Sequence, residues 1–267
     1  MPSTKKVDSS TRALQSSWGR RRLSNPMRNK PMKEIDRSPI VLADGFVLEV
    51  EFIAQSVERV NNKFRQLKLK TKKMALNVFE VIDFRMISGL IGEALVSDMS
   101  DNHKGLERNP NIDGYPDLLN ASKPKYRLDI ERWKAGDLKA FIKYPYGGIE
   151  IKNTFGTKKA KTNLAQGQTR LGKINSKLDW KAHHRYTNNL LALFSDFIDG
   201  CPQIVAVMFS DSLSESDWKE KQNPRENSTM TSFSVIEQSG WEKLRSGMRL
   251  CRDDPRYLSF FGLEASR

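Results

Sequence analysis

The sequence is poor in the residues that build cross-links and soft-metal sites. It has two cysteines, Cys201 and Cys251, and three histidines, His103, His183 and His184. So few thiols exclude a disulfide framework and fit a reducing compartment. Together with so few imidazoles, they also exclude a zinc cluster at ligand spacing. Long apolar runs are missing as well. No stretch approaches the ~20 residues of a membrane span, and the N-terminal residues carry no apolar leader segment. The expectation is a protein that is neither secreted nor embedded in a membrane. There is no Walker motif, helicase segment or methyltransferase signature.

Positive charge is abundant. Lys and Arg number 45 against 32 Asp and Glu, a formal net charge of +13 over 267 residues. An excess of that size favours a polyanionic partner, nucleic acid first and an anionic membrane surface second.

Residues 1–38 carry KK, RRR and scattered serines and prolines without apolar periodicity, and read as a flexible basic arm. Residues 39–267 read as a single domain. Apolar spacing predicts helices over about 54–69 and 74–98, the second carrying Val78, Val81, Ile82, Ile87, Ile91, Ala94 and Leu95. A polar, turn-rich loop follows, SDNHKGLERNPNIDGYP. Short strands are expected at Asp117–Leu119, Tyr126–Ile130 and Gly148–Asn153. A long amphipathic helix is expected from about Leu178 to Ile198. QIVAVMFS at 203–210 reads as a strand covered on both faces, and TSFSVIE at 231–237 as another. GWEKLRSGM begins a further helix. This order predicts a mixed α/β domain of three layers, a central mixed sheet flanked by helices.

The chemistry concentrates in GGIEIKNTFGTKKAK, residues 147–161. Alternation along a strand puts Ile149 and Ile151 on one face and Glu150 and Lys152 on the other. Upstream, Asp117 in YPDLL heads another expected strand. If the two strands pair, Asp117 and Glu150 converge on one cation. Paired carboxylates and a phosphate oxygen suit Mg²⁺. Asp113 and Asp129 are rival first acids, Asp129 lying on the better strand pattern. Without a metal, Glu150 and Lys152 are an ordinary i, i+2 pair on a half-exposed strand.

Pro116-Asp117 followed 33 positions later by Glu150-Ile151-Lys152 resembles the PD-(D/E)XK nuclease superfamily. The resemblance covers about residues 90 to 210. It implies a restriction-endonuclease-like core, with Asp117 and Glu150 as metal carboxylates and Lys152 as the catalytic lysine. It also implies a third metal carboxylate on the preceding helix, a place that Glu93 in LIGEALV fills. Glu93 interrupts an apolar helix face, where a carboxylate is costly without a partner. The composition and the run AHHRYTNNLLALFSDFIDGCPQIVAVMFSDSL are similar to bacterial type II restriction endonucleases of the ApaLI kind. That branch implies Mg²⁺-dependent, site-specific cutting of double-stranded DNA by a homodimer in a bacterial cytoplasm. Lys158, Lys159 and Lys161 are then expected to grip phosphates. His183, His184, Arg185, Asn188 and Asn189 are expected to face DNA, Arg and Asn being the types that read guanine and adenine edges. The plain alternatives are solvated lysines and a polar helix face. The functional alternatives are a structure-specific repair or recombination nuclease of the same fold, and a basic nucleic-acid-binding protein without catalysis.

Overall fold

Leu190–Ile198 and Cys201–Ser210 are apolar along nearly their whole length, and every residue of both is buried. Strands of this kind must be covered on both faces. In the computed structural model they are the centre of a seven-stranded mixed sheet. The structure describes residues 30–155, 181–182, 188–223 and 232–263.

In chain order the strands are β1 (Met32–Glu34), β2 (Ile40–Val41), β3 (Val47–Leu48), β4 (Leu106–Arg108), β5 (Leu118–Asn120), β6 (Gly148–Thr154), β7 (Lys181–Ala182), β8 (Leu190–Ile198), β9 (Cys201–Ser210), β10 (Ser234–Val235) and β11 (Met248–Arg252). The helices are α1 (Val50–Lys73), α2 (Val78–Val81), α3 (Phe84–Asn102), α4 (Pro124–Gly136), α5 (Gln238–Ser246) and α6 (Pro255–Phe261). The large sheet runs β1-β11-β9-β8-β6-β5-β4. Only β6 and β8 pair in parallel; the other neighbours are antiparallel.

Alternation distributes the side chains of β8 and β9 between two cores. Leu191, Leu193 and Val207 share a buried cluster with Ile53 and Val57 of α1 and Ile91 and Leu95 of α3. Ala192, Phe194, Ala206 and Met208 share the other with Trp241 and Leu244 of α5 and Tyr257 and Phe261 of α6. Asp98 of α3 is buried but doubly paired, to Arg59 and Lys63 of α1, each at 2.8 Å. No helix among the described residues is long and apolar enough to cross a membrane.

Several elements differ from the sequence expectation. Leu190–Ile198 is strand β8, not the end of a helix. A strand buried on both faces has no polar alternation, so its period cannot be told from that of a buried helix. Asp199-Gly200 carries the missing signal: both have positive φ (51° and 69°), the type I′ hairpin turn that Asp-Gly favours. Tyr126–Ile130 lies within helix α4, which starts with Pro124 in its first turn, where the missing N–H costs nothing. The expected 74–98 helix breaks after Val81, because Asp83 caps a new helix by accepting from the Arg85 N–H at 2.9 Å. The 231–237 strand is confined to Ser234–Val235 in its described part. Met32–Glu34, placed in the arm by composition, is an edge strand paired with β11, and the compact unit begins at Pro31. Strand β11 and helix α6 have no counterpart in the sequence reading.

Candidate active site

The site begins with the approach of β5 to β6. Leu118 pairs with Ile149 and Leu119 with Gly148. A Cβ on Gly148 would lie 2.0 Å from the Leu118 carbonyl oxygen, so only glycine allows the strands this close. One residue further along that register, Asp117 stands opposite Glu150. There the strands bond through side chains: the Asp117 N–H donates to Glu150 Oε2 at 3.3 Å, and the Ile151 N–H donates to Asp117 Oδ2 at 2.8 Å. Lys152, on the same face of β6 as Glu150, makes an ion pair with Glu150 Oε1 and lies 3.8 Å from Asp117 Oδ2.

Glu150 is 2% exposed and the Lys152 side chain 22%. Burial pushes the Glu150 carboxyl up to about 7; Lys152 opposes the shift and Asp117 adds to it. Burial alone would lower the Lys152 ammonium, but the carboxylates of Asp117, Glu150 and Glu93 outweigh it and raise its pKa. Lys152 is therefore a cation held between two acids, suited to donating hydrogen bonds and ill-suited to act as a base.

Glu93 does not interrupt the buried stripe of α3. Ile87, Ile91 and Leu95 make that stripe, and Glu93 points to solvent with its side chain 58% exposed. It pairs with Arg108 at 2.6 Å. Glu93 and Asp117 both line a cleft of about 600 Å³ at the β4–β5 edge. Asp129 lies elsewhere, on α4, where it binds the Tyr146 hydroxyl and Arg132. Asp113 is exposed in the loop before β5, its N–H donating to Asn111. The structure thus brings Asp117, Glu150 and Lys152 together, sets Glu93 on the cleft wall, and leaves Asp113 and Asp129 out of the cluster.

Asn188 and Asn189 precede β8 and belong to no helix. The Asn189 carbonyl accepts from the Glu150 N–H at 2.9 Å, so this segment abuts the site strand. Lys158, Lys159, Lys161, His183, His184 and Arg185 lie outside the described residues.

Two supports had no place in the sequence reading. Asn153, next to Lys152, accepts from the Ser195 hydroxyl at 2.7 Å and donates to the Ser88 hydroxyl at 3.1 Å, tying β6 to β8 and α3. Asn109 donates to the carbonyls of Pro116 and Phe141, both at 3.0 Å, and so fixes the segment entering Asp117. The turn chemistry of N-P-N-I-D-G is the only sequence trace of the second support.

The donor set can be tested against a metal. Among the described residues no three His, Cys, Asp or Glu side chains converge. Two carboxylates remain, hard oxygen donors that already enclose one cationic group. They fit Mg²⁺, which keeps several waters and takes only one or two protein carboxylates. They do not fit a fully protein-ligated zinc or calcium centre. No protein-family model matches the chain, and no curated protein or solved structure is similar to it.

Proposed function

We propose that the protein is a Mg²⁺-dependent endonuclease that hydrolyses double-stranded DNA at the Asp117–Glu150–Lys152 cluster, on a three-layer restriction-endonuclease-like core. One observation carries the reading. A buried carboxylate and a cationic lysine on one strand face meet a second carboxylate, Asp117, which itself lines a cleft of about 600 Å³. A structural ion pair needs no third charge and no neighbouring cleft. The net charge of +13 supplies the attraction for a phosphate backbone.

In this reading Asp117 and Glu150 would hold Mg²⁺. When bound, the ion supplies positive charge at the phosphodiester and makes water more acidic. Lys152 Nζ, kept cationic by its neighbours, hydrogen-bonds the attacking water or the phosphate oxygens as charge builds. The Ile151 N–H and the Asp117 N–H fix the two carboxylates, so little reorganisation is needed. Site-specific cutting of a palindrome would call for a homodimer, whose two-fold axis matches the DNA.

A second reading rests on the Glu150–Lys152 contact itself: a satisfied ion pair in a basic DNA-binding protein without catalysis. Plasmid DNA with Mg²⁺, resolved on a gel, separates the readings. Discrete fragments are expected. Smeared products or cutting confined to branched DNA point to a structure-specific nuclease, and a mobility shift without cutting points to the binding protein.

A further inference from the structure

The loop between β4 and β5 is built to hold one side chain out. Ile112 is 98% exposed, whereas the other exposed large hydrophobics among the described residues range from 37% to 75%. Scattered surface aliphatics need no explanation. This one differs in how its backbone is held. Asn109 Oδ1 accepts from the Asn111 N–H at 3.0 Å, and Asn111 Oδ1 accepts from the Asp113 N–H at 3.0 Å. Asn111 Nδ2 donates to the Leu138 carbonyl at 3.0 Å, and the Gly114 N–H donates to the Asn111 carbonyl at 2.9 Å. A Cβ at Gly114 would lie 2.5 Å from the Asn109 side chain, so the loop closes tightly on its own brace. Both asparagines spend their amides on backbone, and the residue between the bracing positions faces water.

Ile112 also lines the cleft that contains Asp117 and Glu93. A duplex bound with a phosphodiester at Asp117 would lie against this loop, because Asp117 and Ile112 line the same cleft. Water gives an isolated apolar tip no favourable environment; the stacked bases of a groove do.

We infer that Ile112 is an apolar wedge that enters the DNA groove next to the scissile phosphate and partly unstacks a base step there. The inference rests on the reading of duplex DNA at Asp117 and Glu150. A rigid loop suits a wedge because the ordering entropy is spent in folding and not again on binding. Partial insertion of an aliphatic side chain kinks and unwinds DNA and lets the backbone approach the protein more closely. The two phosphate-facing carboxylates would then meet a distorted strand instead of a regular one.

Unwinding of closed plasmid tests this directly. Relaxed plasmid is saturated with protein in chelator, so that no cutting occurs, and resealed with a metal-independent topoisomerase. Mobility shifts on the same samples report binding. Wild type should lower the linking number. Ile112→Ala, at protein concentrations that the mobility shifts show to be saturating, should produce a change roughly three-fold or more smaller, and Ile112→Phe should restore it. A fully exposed side chain makes misfolding no explanation for a loss. If wild type binds and leaves the linking number unchanged, or if Ile112→Ala unwinds as wild type does, the wedge is wrong while the nuclease reading stands or falls on Mg²⁺ cutting alone. If wild type binds no DNA, the reading beneath the inference fails and the wedge with it.

Discussion

Asp117 and Glu150 stand opposite each other where β5 and β6 part. The N–H of Asp117 donates to the Glu150 carboxylate, and the Asp117 carboxylate accepts from Ile151, the residue after Glu150. Each acid therefore accepts a backbone N–H from the segment facing it. Both carboxylates are fixed by backbone, and Lys152 is fixed by both carboxylates.

Removing any one of the three should stop chemistry without stopping binding. Asp117→Asn, Glu150→Gln and Lys152→Ala are each expected to lower Mg²⁺-dependent cleavage by about 10²–10⁴-fold. DNA affinity should change by about three-fold or less, because phosphate contacts spread over the surface dominate it. Asp129→Asn should cut within about three-fold of wild type, since Asp129 binds Tyr146 and Arg132 away from the cluster. Comparable cutting by Lys152→Ala and wild type would move the active site elsewhere.

Glu150 sets a pH dependence of stability in the metal-free protein. Its carboxyl has an ordinary value of 4.5 and is pushed up to about 7 by burial. The folded state then binds the proton more tightly than the unfolded state, so the contribution of Glu150 to stability falls as pH rises between those two values. Denaturant titrations in chelator from pH 4 to 8 should show a loss on the order of 2–3 kcal/mol across that window. Glu150→Gln should flatten it. A wild-type curve without slope there would mean that the contact with Lys152 cancels the burial.

The arm boundary gives a paired truncation. Removing residues 1–30 should lower the salt slope of DNA binding by roughly one unit per lost phosphate contact. Removing residues 1–38 should in addition cost about 2 kcal/mol of stability. It deletes β1, the Met32 N–H bond to Glu58 and the Asp36 ion pair with Arg249. Equal stability of the two truncations would show that β1 contributes nothing to the sheet.

The grouping of Asp117, Glu150 and Lys152 is more readable than the topology, for a physical reason. Strand β6 sets Ile149 and Ile151 on one face and the charged Glu150 and Lys152 on the other, so I-E-I-K alternates, and alternation is a strong signal. Asp117 follows a loop dense in turn residues, which marks the start of a strand beside it. Strand β8 is buried on both faces, its apolar residues also fit a helical period, and only the Asp-Gly turn distinguished the two. Tyr126–Ile130 alternates apolar and polar like a strand, but it follows Pro124, which starts a helix well. Met32–Glu34 joins the sheet through backbone bonds to β11, and a residue near 250 leaves no trace in the composition of residues 32–34. Ile112 could be read as exposed, but not as braced, because bracing depends on Phe141 and Leu138 carbonyls that folding brings to the loop.

The last prediction concerns a residue that touches no substrate. Gly148 lets β5 and β6 approach until a Cβ would sit 2.0 Å from the Leu118 carbonyl oxygen and 2.7 Å from Pro116 Cγ. Neither neighbour is the end of a flexible side chain, so Gly148→Ala must push the strands apart. The backbone at Gly148, with φ of +154°, adds strain for any side chain. Asp117 lies two residues along from Gly148's pairing partner, Leu119, and Glu150 two residues along from Gly148 itself. Separating the strands therefore separates the carboxylates. Gly148→Ala should cost about 2–4 kcal/mol in denaturant unfolding. Under conditions where it is fully folded, it should still cut DNA more than about ten-fold slower than wild type, because misplacement of about 1 Å is enough. Gly136→Ala at the end of α4 is the control: nothing lies within 4 Å of its Cβ, and the change should be neutral or stabilise by up to about 1 kcal/mol. Wild-type cutting by folded Gly148→Ala would show that the close approach of these strands does not hold the site together.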